Sequence, residues 1–139
     1  MILAFDYGRR RIGVACGDTI SRNAAALKAL PATDAGPRWE SLEALIREWQ
    51  PDLAVVGLPY NADGSESSMT GDARSFAAQL QARFSLEVEL VDERYSSMDA
   101  TARLKSERES GLRKRRVAKA DIDAVAASII LERWFSVHN

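Results

Sequence analysis

The sequence predicts an α/β fold built on a mixed sheet, and three observations carry that prediction. Ile2 to Phe5 is an unbroken apolar run followed by a turn and by Ile12 to Cys16, so the chain opens on a hairpin with a buried strand. Asn23 to Leu30 supplies a third antiparallel strand. From Pro37 onward, amphipathic helical spacings alternate with short apolar strands. The resulting order is β-β-β-α-β-α-β-α-α. It implies a mixed five-stranded sheet whose first three strands are antiparallel, flanked by helices. Its first, fourth and fifth strands run parallel.

Each element has a local justification. In the hairpin, Asp6 ends the apolar run, and Gly8 and Gly13 permit close backbone approach. Asp6 and Gly8 are also ordinary turn residues. Pro37 suits the first turn of a helix. Trp39, Leu42, Leu45, Ile46 and Trp49 then follow at three- and four-residue spacing until Pro51 stops them. Both tryptophans fit core packing better than base stacking. Leu53 to Gly57 reads as a buried parallel strand, and Tyr60 to Ser68 as a polar loop. The next helix carries Phe76, Ala77, Leu80 and Phe84 on one side. Leu86, Val88 and Leu90 alternate with Glu87 and Glu89, as in a strand with one face toward water. Ser96 or Ser97 can cap a helix starting near Met98. The last helix, from about Asp121 to Phe135, presents Ile122, Val125, Ala126, Ile129, Ile130 and Trp134 on a broad apolar face.

Composition sets bounds. The 139 residues fit a single domain, 1–139, and 46% hydrophobic with 28% charged residues is ordinary for a globular protein. Cys16 is the only cysteine, which suits a reducing cytosol, and its alternation with Ile12 and Val14 makes it a small buried hydrophobe. No signal peptide or membrane span is expected, because Asp6 and the arginines interrupt the apolar start. The net charge of −1 makes no global case for nucleic acid. Residues 103–119, however, hold eight basic residues against Glu107 and Glu109. That tract is either a polyanion site or a solvated loop.

In a sheet of this order the C-terminal ends of the parallel strands share one rim, and that rim is where open α/β sheets bind ligands. Asp6, the Gly57-Leu58-Pro59 turn and Asp92-Glu93 stand there. A third acid, Asp121 or Asp123, is available at the start of the last helix. Three hard oxygen ligands suit Mg²⁺ or Mn²⁺ rather than Zn²⁺, and neither Cys16 nor His138 has a zinc-like partner cluster. Ions held by such carboxylates align a water nucleophile for phosphodiester hydrolysis.

Asp6-Tyr7-Gly8 followed by Ile12-Gly13-Val14-Ala15 resembles the opening of the YqgF family, also called RuvX, within the RNase H-like nucleases. The resemblance continues through Val56-Gly57-Leu58-Pro59, Asp63-Gly64, Asp92-Glu93-Arg94 and Ile122-Asp123, then Ala127 and Ile129-Ile130-Leu131, over nearly the whole chain. It implies an RNase H-like fold and metal-dependent nuclease chemistry, with Asp6, Glu93 and Asp123 as catalytic and metal-binding residues. It also implies a role in maturing the 5′ end of the 16S ribosomal RNA precursor. Arg9 stands where a Thr is common, and Ser97 likewise, while the acids are intact. Within the last helix Asp121 and Asp123 point in different directions, so Asp123 is expected to face the site and Asp121 to cap.

The expected nucleic-acid contacts are Arg9, Arg10, Arg11, Arg94, Arg113, Lys114, Arg115 and Arg116, with the Gly57–Gly64 segment allowing the backbone to approach. The expected partner is structured RNA ahead of DNA, with no membrane, bound by a monomer or weak homodimer. The alternatives are a Holliday junction resolvase, which would need a dimer to cut symmetrically, and a non-catalytic RNA-binding module. An ATP-handling protein of the actin and sugar-kinase type also opens on an Asp-x-Gly hairpin, but its two lobes do not fit this length.

Overall fold

The computed structural model describes residues 1–94, 96–109 and 118–138. Strands β1 (Ile2–Tyr7), β2 (Arg11–Gly17), β3 (Ala24–Thr33) and β4 (Gly36–Pro37) form an antiparallel run. After helix α1 (Trp39–Trp49), β5 (Leu53–Leu58) pairs parallel with β1. After α2 (Ser68–Phe84), β6 (Glu87–Asp92) pairs parallel with β5. The order across the sheet is β4-β3-β2-β1-β5-β6. Helices α3 (Ser96–Glu109) and α4 (Lys119–Val137) complete the chain.

Burial follows the two faces of this sheet. Leu3, Phe5, Ile12, Val14 and Val56 point to one side, where Leu42 and Leu45 of α1 and Phe76 and Leu80 of α2 cover them. Ile2, Ala4, Ala15 and Val55 point to the other, against Ala127, Ile130, Leu131 and Trp134 of α4. A central strand covered on both faces needs an apolar residue at every position, which is why Ile2 to Phe5 and Leu53 to Leu58 are continuous runs. Helix α3 packs on α4, with Ala100 against Ala126 and Ile129.

Both early tryptophans pack against the first core cluster, Trp39 stacking on Phe76 at 6.0 Å between ring centroids. Cys16 is half-buried against the same cluster. Helix α1 ends at Gln50, which adopts the left-handed conformation just before Pro51.

Several local expectations are corrected. Pro37 lies in β4, a sixth, two-residue strand closing on Thr33, and α1 begins two residues later. Helix α3 already starts at Ser96, so Ser96 and Ser97 belong to its first turn and do not precede it. In β6 the alternation breaks. Leu90 is 47% exposed, whereas the Glu89 carboxylate accepts from Trp134 Nε1 at 3.4 Å and pairs with His138 at 3.2 Å. β6 is an edge strand, and the end of α4 covers its acidic side. The basic tract is not wholly a loop: Arg103, Lys105 and Arg108 lie on α3 and Lys119 opens α4, while residues 110–117 lie outside the described residues.

Candidate active site

The rim at the C-terminal ends of β1, β5 and β6 brings together acids that are far apart in sequence. Asp6 sits near the end of β1, in register with Gly13 of β2. A Cβ on Gly13 would overlap the main-chain carbonyl of Asp123. The missing side chain therefore lets the start of α4 lie directly on β2 and brings Asp123 near enough for its charge to act on Asp6. This is the close backbone approach that Gly13 permits, and the partner is a helix. Among the described residues, however, no three acids stand close enough together to form a ready metal cage.

Glu93 follows β6 but stays tied to the sheet, its N–H donating to the Leu58 carbonyl at 3.0 Å. Its side chain folds inward and is 7% exposed. A Cβ on Gly57 would stand 3.0 Å from both Cβ and Cδ of Glu93 and would collide with Ile130. The space over Gly57 thus belongs to Glu93 and Ile130, which corrects the expectation that it receives a nucleic-acid backbone. The following loop is held firmly instead. Ser67 and Thr70 hydroxyls both donate to the Pro59 carbonyl at 2.6 Å, and Gly64 takes the turn at φ 89°.

Asp6 and Glu93 face each other closely enough for their carboxyls to act on one another, an arrangement that is relieved by a proton between the two acids. Loss of hydration raises Asp6 from 3.8 to about 6, and the neighbouring Asp123 charge adds to that; hydrogen bonding with Glu93 opposes it. Glu93 is pushed up to about 10, first by burial and then by the Asp6 charge, with Arg133 pulling the other way. Both carboxyls are thus held above the ordinary carboxylate range, and the pair titrates as a unit. Two carboxyls so placed can exist together only protonated or around a cation.

Asp123 is oriented by the opposite strand. Arg11 Nε donates to Asp123 Oδ2 at 2.6 Å, with 37% of the arginine side chain and 22% of the aspartate side chain exposed. Asp121 has the capping position expected of it, accepting from the Ala118 N–H at 3.0 Å, although it does so from inside a helix that begins at Lys119.

The remaining predicted residues divide. Arg9 pairs with Asp72 at 3.1 Å. Arg94 pairs with Asp92 at 2.9 Å and reaches the Ala62 carbonyl at 3.5 Å, so it ties β6 to the loop after β5. Arg10 is exposed and makes no ion pair among the described residues. Arg113, Lys114, Arg115 and Arg116 lie outside the described residues. Arg133 escaped the sequence reading. It donates to the Asp92 carbonyl at 3.3 Å and pairs with Asp99 at 3.2 Å while acting on Glu93. Its place on α4, ten residues past Asp123, carries no local signal of that.

Among the described residues no helix is long and apolar enough to cross a membrane. Solved structures show the same architecture. RuvC of T. thermophilus, solved in complex with a Holliday junction substrate, aligns with a TM-score of 0.55 at 15% identity, over 97% of this chain and 92% of that one. The yeast mitochondrial Holliday junction resolvase Ydc2 aligns at 0.54 and 10% identity, over 96% and 77%. These are RuvC-like, RNase H-type folds. In sequence, a protein of Edwardsiella ictaluri named "Putative pre-16S rRNA nuclease" is 46% identical over 96% of this chain and 93% of its own length. One of Yersinia enterocolitica with the same name is 47% identical over the same shares. The family model described as "RuvX: Holliday junction resolvase" matches residues 1–137, and the chain belongs to that family.

Proposed function

We propose that this chain is a divalent-metal-dependent nuclease that trims the 5′ end of the 16S ribosomal RNA precursor in the cytosol. The observation that carries this reading is the buried Asp6–Glu93 carboxyl pair on the open rim, with the Asp123 charge acting on Asp6. Such a pair is unfavourable without a proton or a cation, and hard carboxylate oxygens alone fit Mg²⁺ or Mn²⁺. The names of its relatives supply the substrate.

Asp6, Glu93 and Asp123 would hold the metal, which supplies an activated water nucleophile and charge neutralisation at the scissile phosphate. A cation held there would take the place of the proton that otherwise relieves the buried pair. Burial keeps both carboxylates from being hydrated and so strengthens their hold on a cation. Gly13 and Gly57 support this reading, because the backbone packing they allow draws the three acids toward one rim. Arg10 is available for a flanking phosphate, and Arg9, Arg11 and Arg94 would reach one only by exchanging carboxylate partners. The segment Arg113 to Arg116 would add affinity along the RNA backbone. A monomer or weak homodimer suffices for cutting one strand.

The family description and the fold neighbours favour a second reading, resolution of a four-way DNA junction. Parallel digestion of precursor 16S rRNA and a four-way DNA junction, with Mg²⁺ and with Mn²⁺, separates the two. Cleavage of the precursor with an intact junction is expected. Symmetric junction cutting by a sedimenting dimer, with the precursor untouched, would overturn the RNA reading.

A further inference from the structure

The Arg11–Asp123 pair is a short ionic contact on the rim that the reaction itself does not require. Its 2.6 Å contact engages Oδ2, one of only two oxygens through which Asp123 can serve as a ligand. It joins residues 112 apart, from the first position of β2 to the fifth of α4. The pair is partly buried and still reached by solvent, so its breakage costs less than that of a fully buried ion pair. A guanidinium and a divalent cation cannot share one carboxylate edge without repelling each other. Asp123 balances its charge with Arg11.

We infer that Arg11 is the internal counter-ion of Asp123, seated where a divalent metal would bind, and that metal loading must displace it. This rests on the metal-site reading above. Arg11 thereby sets a threshold on metal affinity: the site fills only where the cation outcompetes the guanidinium. It also delivers a freed arginine to the rim at the moment the site becomes competent. The sequence reading placed Arg11 with Arg9 and Arg10 as a phosphate contact, and the pairing gives it this earlier role.

Mn²⁺ titration by calorimetry on the whole chain tests it, using wild type, Arg11→Gln, Asp123→Asn, the double variant and Asp6→Asn, each with a melting curve in chelator. Arg11→Gln is expected to bind Mn²⁺ at least about fivefold more tightly than wild type. In the Asp123→Asn background the same substitution should change nothing, because the contested carboxylate is gone. Arg11→Lys keeps the charge but not the Nε contact, and should give a smaller gain; it serves if Arg11→Gln does not fold. Unchanged or weaker binding by folded Arg11→Gln would overturn the inference while leaving the metal site standing. Equal tightening in the Asp123→Asn background would also overturn it, since that is only a surface-charge effect. Wild type without Mn²⁺ binding, or Asp6→Asn binding as tightly as wild type, would remove the metal-site reading and this inference with it.

Discussion

Replacing Asp6 by Asn should stabilise the metal-free protein, and the gain should depend on pH. Asp6 ionises near 6 in the fold against 3.8 in an unfolded chain, because its carboxylate is stripped of water and faces Asp123. An acid whose folded pKa is raised binds its proton more tightly in the native state. The contribution of Asp6 to native stability therefore falls as pH rises from about 4 to about 6 and is constant above that. At 1.36 kcal/mol per unit, a rise from 3.8 to about 6 corresponds to roughly 2–3 kcal/mol, and the lower end is expected here. Asn is neutral throughout and its amide still hydrogen-bonds with Glu93. Asp6→Asn should thus match wild type near pH 4 and exceed it by about 2 kcal/mol at pH 7, several degrees in melting temperature for a chain of this size. Urea or thermal melts in chelator across pH 4 to 8 measure this. Adding Mg²⁺ should raise wild type and not the mutant, because only the native metal site binds it. A mutant less stable than wild type at pH 7, or an offset independent of pH, would refute the proposed repulsion.

Three further outcomes follow from the geometry. Gly13→Ala should cost about 1–3 kcal/mol and reduce cleavage, because its Cβ must push the Asp123 main chain, and with it the metal ligand, away from β2; denaturation midpoints and single-turnover rates check both effects. Asp121→Ala should cost about 1 kcal/mol through the lost contact with the Ala118 N–H and keep most activity, whereas Asp123→Asn should abolish metal-dependent cleavage with little loss of stability. Neutralising Arg113, Lys114, Arg115 and Arg116 together should raise KM and flatten the salt dependence of binding without changing the chemical step; an unchanged salt slope would show that these charges do not meet the substrate.

Much of this was legible before any coordinates. The continuous run Ile2 to Phe5 announces a strand covered on both sides, and the alternation of helical and strand spacings orders the sheet, which brings Asp6 and Glu93 to one rim. Asp121 and Asp123 separate by helical direction alone. What stayed hidden depends on contacts between distant segments. Glu93 reads as an acid at the rim, but nothing local tells that it is buried; Gly57 and Ile130, distant in sequence, enclose it. Arg11 resembles its neighbours Arg9 and Arg10 until α4 lies against β2 and supplies Asp123. The alternation of β6 misleads because an edge strand takes its burial from whatever covers it, here Trp134 and His138 over Glu89. Gly36–Pro37 is too short to show any strand periodicity, so its pairing with Ala32 and Thr33 has no sequence signature.

The account rests on three acids from β1, β6 and α4 forming one metal-dependent cutting site. Its most direct test is single-turnover cleavage of precursor 16S rRNA by Asp6→Asn across a Mg²⁺ titration, beside wild type and with the fold verified by circular dichroism. The site described here predicts cleavage at background at every Mg²⁺ concentration from a protein that is folded and at least as stable as wild type. Wild-type cleavage rates from the folded mutant would contradict it.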